Sequence, residues 1–165
     1  MGIARDLLAQ AHHLAEYGGE NPTQAALRRS VSTAYHALFH LLVADAARLC
    51  LSGDASPEAR PGVERAFQHG SMKIASLKFN GPVWQDWHGL VRPMPPALRR
   101  VAAAFAELQE ERHTADYNNH EQWRSIEVQT LLSMTGGAFQ DWESIRADPM
   151  AGNYLLAMLL PRQRC

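Results

Sequence analysis

The sequence predicts an all-α fold. Apolar residues recur at spacings of three and four along most of its length, the signature of amphipathic helices. No stretch alternates apolar and polar residues with the period of two that strands require. Breakers such as Gly18-Gly19, Ser52-Gly53-Asp54 and Asp148-Pro149 fall between the periodic stretches, where helices should end. No internal repeat or low-complexity tract interrupts the pattern. The expected architecture is an up-and-down bundle of about five main helices plus a short C-terminal helix.

The first helix is expected over Ile3 to Tyr17, with Ile3, Leu7, Leu8, Ala11, Leu14 and Ala15 on one side. Gly18-Gly19 ends it. Asn21 as N-cap and Pro22 at the first helical position open a second, longer helix. Its stripe is Leu27, Val31, Ala34, Tyr35, Leu38, Phe39, Leu42, Val43, Ala46 and Leu49, about seven turns without a breaker, as in the spine of a bundle. Ser52-Gly53-Asp54 stops it. Ser56-Pro57-Glu58 opens a third segment with Val63, Ala66 and Phe67 as its apolar face. Gly70 weakens it, and no element is assigned to Ser71 to Phe79. Gly81 to Pro96, holding four prolines, is an irregular connector that Trp84 and Trp87 pack onto the body.

Ala97 to Tyr117 forms the fourth helix. Asn119, followed three residues later by Gln122, matches a capping-box-like start for a fifth, running from about His120 to Arg146. Its stripe is Leu131, Met134, Ala138, Trp142 and Ile145. Gly136-Gly137 costs it roughly 1 kcal/mol per glycine against alanine, which a close helix contact would explain. Asp148-Pro149 ends it. Asn153 to Leu160 is a short apolar helix to be buried against the body or a partner chain. Pro161 to Cys165 is expected to be a frayed tail.

At 165 residues, with 46% hydrophobic and 20% charged residues, the chain fits a single domain with a sizeable core. A formal net charge of −1 provides no global basic field. Binding of nucleic acid would need a local arginine cluster. Two distant cysteines, Cys50 and Cys165, make neither a disulfide framework nor a metal quartet. Arg5 and Asp6 interrupt any signal-peptide pattern over Met1 to Gln10, and no apolar run approaches the ~18 residues of a membrane span. A reducing cytoplasm is the expected compartment, without membrane association.

The stretch Glu111-Arg112-His113-Thr114-Ala115-Asp116-Tyr117 carries the most information. Continuing the stripe Val101, Phe105, Leu108 by four and three residues lands on Arg112 and Ala115. An arginine therefore stands where a core residue is due. Arg112 and Asp116 are four apart and share a helix face, so they form either a structural ion pair or part of a site for a phosphate or nucleotide. Tyr117 is expected to be a core aromatic with its hydroxyl satisfied, or a hydrogen-bond donor in a cleft. Arg65 and His69, also four apart, can combine a phosphate-binding and a proton-transfer group, or simply form a solvated face. His36 and His40 have a spacing that can chelate a metal, but no third ligand accompanies them. No metal or other cofactor is expected. The four dispersed tryptophans fit packing better than a stacking platform. No Gly-rich phosphate loop, dinucleotide fingerprint, or Ser or Cys nucleophile motif is present.

Three segments together resemble the HEPN superfamily. Arg28-Arg29-Ser30-Val31-Ser32-Thr33-Ala34-Tyr35-His36-Ala37-Leu38-Phe39-His40 is similar to that family's long second helix, with His36 in place of its second aromatic. Arg65 to Lys73 forms the second segment. Phe105 to Tyr117 resembles the arginine-then-Ala-Asp-Tyr signature of a bacterial branch. The resemblance spans about Ala25 to Ile145 and implies a helical bundle, often a homodimer, working in toxin–antitoxin, defence or RNA-processing systems.

On that resemblance the chain is expected to be a nucleotide-, RNA- or partner-binding module. Alternatives are a metal-independent endoribonuclease and a purely structural dimerisation bundle. In the nuclease chemistry that the resemblance implies, an arginine steadies charge on the scissile phosphate and a histidine, with four to six residues between the two, moves the proton. Arg65 and His69 are the catalytic candidates, though only three residues separate them. Arg29 and His36, with six between them, fit the spacing but lie on the second helix. Arg112, His113, Asp116, Tyr117, Arg29 and His36 are the binding candidates. Arg65, His69, Arg112, Asp116 and Tyr117 are expected to share one cleft. A separate nucleotidyltransferase or antitoxin chain is the implied partner.

Overall fold

The computed structural model describes residues 2–51, 58–86 and 88–160. Among these, seven helices and one two-stranded antiparallel sheet follow one another: α1 (Ile3–Glu16), α2 (Gln24–Cys50), α3 (Ala59–Ala66), α4 (His69–Phe79), β1 (Val83–Gln85), β2 (Val91–Pro93), α5 (Pro96–Tyr117), α6 (Ser125–Ile145) and α7 (Pro149–Leu159). The all-α expectation holds, with the small sheet as an addition. No helix among the described residues is long and apolar enough to cross a membrane. The stop at Ser52-Gly53-Asp54, the opening at Ser56-Pro57, the packing of Trp87 and the tail Pro161 to Cys165 lie outside the described residues.

The chain forms two compact units, one of Met1–Leu41 with Ala104–Gln140, the other of Leu42–Ala103 with Asp141–Cys165. The first unit takes α1, the start of α2, most of α5 and most of α6. Its buried side chains include Leu27, Val31, Tyr35, Leu38, Phe105 and Leu108, from the stripes anticipated for α2 and α5, together with Ala11 of α1 and Val128 and Leu132 of α6. Gly18 and Gly19 end α1 with φ of 101° and 64°, a left-handed turn that favours glycine. α2 then starts two residues later than its Asn21-Pro22 signal. Thr23 is the N-cap, and its Oγ1 accepts from the Ala26 N–H at 3.2 Å.

Two side chains of α2 organise the far end of this unit. The Arg28 guanidinium donates to the carbonyls of Ala115 and Asn118, both at 2.9 Å, and of Glu121 at 2.6 Å. The Ala115 carbonyl, one of those that a helix C-terminus leaves unpaired, thus receives a charged donor, as do two carbonyls of the loop that follows. The Gln24 amide pairs with both backbone groups of Trp123, each at 2.8 Å. Residues 118–124 are consequently held open as a loop, and the capping box expected from Asn119 and Gln122 does not form. α6 begins instead at Ser125. The Glu127 carboxylate accepts from the Arg124 N–H at 2.9 Å, the reciprocal half of a capping box one turn later.

In the second unit α4 packs on α7, with Phe79 between Trp84 and Tyr154 at ring separations of 5.3 and 5.1 Å. The Tyr154 hydroxyl meets Ser76 Oγ at 2.7 Å. Asp148 caps α7 by accepting from Met150 N–H at 2.7 Å, with Pro149 in the first turn. The pair that ends α6 therefore also starts α7, four residues before the expected Asn153. The buried Asp45 carboxylate collects the Trp142 indole N–H at 2.6 Å, Arg146 at 2.7 Å, and Arg48.

The connector Gly81 to Pro96 contains the hairpin of β1 and β2, with Trp84 opposite Arg92. One side chain shapes its turn. Asp86 accepts from the N–H groups of His88 and Leu90, each at 2.9 Å, and from Arg92 Nε at 3.0 Å. The Leu90 N–H, followed by the Arg92 and His88 donors, holds the Asp86 carboxyl below its ordinary range, because every one of these bonds favours the anion.

Candidate functional site: the α1–α2 cleft

Within the first unit, α1 and α2 enclose a cleft of about 330 Å³ lined by Leu7, Gln10, Leu14, Arg29, Ser32, Thr33 and His36. Helix geometry explains the selection. Arg29, Ser32, Thr33 and His36 occupy positions i, i+3, i+4 and i+7, one face of α2. Leu7, Gln10 and Leu14 are the matching face of α1. Ser30 pins the two helices together, its hydroxyl donating to the Ala11 carbonyl at 2.7 Å. One wall is basic and hydroxylated; the other is apolar apart from one amide.

Arg28 and Arg29 divide their work. Arg28 is committed to three carbonyls, whereas Arg29 has no ion pair or side-chain hydrogen bond among the described residues and lines the cleft. His36 Nδ1 lies 2.8 Å from the Ser32 carbonyl. A carbonyl only accepts, so Nδ1 carries a proton. In the neutral ring this leaves Nε2 as the acceptor nitrogen.

The Arg112 cluster adjoins this cleft through Ser32. Ser32 Oγ donates to Asp116 Oδ2 at 3.4 Å, and Arg112 Nη1 reaches the same oxygen at 3.4 Å. The Arg112 guanidinium carbon stands 5.2 Å from the Tyr35 ring centroid, within cation–π range. Its Nε is buried without an acceptor. The arginine in the core stripe is thus 19% exposed, paired with Asp116, and stacked on an aromatic ring. Burial raises the Tyr35 phenol well above its ordinary range, while the Arg112 charge opposes the rise.

His113 and Tyr117 form a ring pair at 5.0 Å. Tyr117 is 67% exposed, so it is not the core aromatic expected from the sequence. Its turn of α5 faces outward once the stripe has ended at Ala115. Arg65 and His69 do not share a helix. α3 ends at Ala66, and Phe67 and Gln68 take extended backbone before α4 begins at His69. Phe67 is buried, and drawing it inward breaks the helix between the two candidates. Both belong to the second unit, whereas Arg29, His36, Arg112, His113, Asp116 and Tyr117 belong to the first.

Sequence reasoning missed Ser32, Thr33 and Gln10 in the cleft, and the clamp roles of Gln24 and Arg28. The i, i+3, i+4, i+7 spacing around Arg29 was the available signal for the hydroxyls. The described residues contain no group of three or more His, Cys, Asp or Glu able to hold a metal ion. The second unit has a larger, mainly apolar cavity of about 620 Å³, between the end of α2 and the start of α7. In comparisons with family models, curated proteins and solved structures, nothing matches this chain.

Proposed function

We propose that the protein is a HEPN-like nucleotide- or RNA-binding module whose α1–α2 cleft takes a phosphate-bearing ligand. The observation that carries this reading is an arginine without an acceptor, Arg29, beside Ser32, Thr33 and His36 in one cleft. A planar fork of charged donors suits phosphate oxygens, and hydroxyls complete the donor set. The setting, a toxin–antitoxin or defence-type system with a homodimer and a separate nucleotidyltransferase or antitoxin chain, rests on the resemblance of the α2 and α5 segments to that superfamily. The test is fluorescence polarisation with labelled single-stranded RNA, and calorimetry with nucleoside monophosphates. Arg29→Ala should weaken binding roughly tenfold, the worth of a hydrogen bond to a charged group. Unchanged affinity would sink the reading.

A second reading, metal-independent RNA cleavage, is favoured by one specific feature. Arg29 and His36 combine the six-residue separation of the resemblance with a shared cleft, and the His36 tautomer leaves Nε2 as an acceptor. His36 would then move the proton between the 2′-hydroxyl and the leaving oxygen while Arg29 steadies the phosphate. Cleavage of mixed RNA in EDTA should stop in His36→Ala and persist in His69→Ala. The same products from His36→Ala and wild type would dismiss it.

A further inference from the structure

Asp116 is bound from two sides through one oxygen. Ser32 Oγ and Arg112 Nη1 both approach Oδ2, each at 3.4 Å. Hydrogen bonds to a carboxylate settle at about 2.7–2.9 Å from a charged N–H and about 2.5–2.7 Å from an O–H, so neither contact is closed. Arg112 also retains a buried Nε with no acceptor, which is donor capacity in reserve for a carboxylate. Ser32, for its part, is 5% exposed yet lines the cleft beside Arg29. A serine hydroxyl has one proton. It can donate that proton to Asp116 or to an anion in the cleft, not to both.

We infer that Asp116 is a built-in competitor of the cleft's anionic ligand, and that Ser32 is the group they compete for. When a phosphate oxygen meets Arg29, the Ser32 hydroxyl turns from Asp116 to the ligand. Asp116 then closes onto Arg112, which has the donors to receive it. Ligand binding is thereby coupled to the Arg112–Asp116 pair, and Asp116 sets how tightly the empty cleft holds its donor. Asp116 acts here as a positioning residue, through Ser32, without touching the ligand. This inference rests on the cleft binding a phosphate-bearing ligand as proposed above.

The experiment is a double-mutant cycle. Adenosine 5′-monophosphate and inorganic phosphate are titrated by calorimetry, at fixed ionic strength, into the full chain as wild type, Asp116→Asn, Ser32→Ala and the double variant. Both substitutions conserve or reduce volume, and a cooperative thermal melt identifies each variant as folded. Ser32→Ala should weaken binding roughly tenfold, the scale of a hydrogen bond to a charged group. Asp116→Asn should tighten binding several-fold while Ser32 is intact, and by less than about twofold in the Ser32→Ala background. Equal tightening in both backgrounds would mean that the carboxylate acts only through its field, and would overturn the inference while leaving the cleft reading standing. No tightening by Asp116→Asn would also overturn it. Failure of both probes to bind wild type would remove the cleft reading, and this inference with it.

Discussion

The Trp142 indole N–H donates to Asp45 Oδ2 at 2.6 Å, joining α6 to α2 inside the second unit. Asp45 is 7% exposed and also receives Arg146 and Arg48. Asp45→Ala strands a buried indole donor and deprives two guanidinium groups of their partner. It should cost about 3 kcal/mol, the lower end for breaking a buried charged cluster. Trp142→Phe leaves Asp45 its arginines and loses one hydrogen bond and part of the ring, so it should cost less. Urea denaturation of the two variants ranks them, and the reverse order would contradict this account.

Arg28 and Arg29 should separate in the same kind of measurement. Arg28→Ala removes three hydrogen bonds to the α5 C-terminus and the following loop. Two of these are solvent-exposed, so the expected loss is about 2 kcal/mol. Arg29→Ala removes no such bond and should change stability by less than about 0.5 kcal/mol while weakening ligand binding.

Gly136 and Gly137 should be replaceable. Apart from the neighbouring residues and backbone of α6 itself, nothing among the described residues lies within 4 Å of a methyl group built on either one, so the close helix contact expected from the sequence is absent there. Each alanine should stabilise α6 by up to about 1 kcal/mol, seen as a rise in melting temperature. A fall would show that the glycines serve a bend or a partner.

Glu111 provides a pH test. Burial, then the charges of Glu107, Glu121 and Glu127, raise its carboxyl above the ordinary range. The folded chain therefore binds this proton more tightly than the unfolded chain does. Its favourable contribution is fully present below the ordinary glutamate value of about 4.3 and is lost as pH rises through the raised folded value. Glu111→Gln should accordingly melt higher than wild type at pH 7, with the difference closing near pH 4. A constant difference across that window would contradict the assignment.

The sequence made the α5 stripe legible because Val101, Phe105, Leu108 and Ala115 keep one period up to the helix end, and all four are buried. Asp148-Pro149 was legible as a boundary because capping chemistry is local. The hairpin was not. Its strands are three residues each, too short for alternation to register, and its turn is made by a single carboxylate, Asp86. The break after Ala66 was invisible for a different reason, since no glycine or proline marks it and the burial of Phe67 is a tertiary event. Likewise, nothing in the dipeptide Arg28-Arg29 tells which guanidinium will find carbonyls. Only the path of the chain after α5 decides that.

The left-handed turn at Gly18 has a consequence for folding kinetics. A methyl group there would meet the Asn21 carbonyl oxygen at 3.0 Å and Pro22 Cα at 3.2 Å, so this joint fixes how α2 leaves α1. Every wall of the cleft comes from those two consecutive helices. Bringing them together closes only a short loop, and such local pairings form quickly. The α1–α2 cleft is therefore a low-contact-order element: a helical hairpin able to assemble before α5 and α6 find their places.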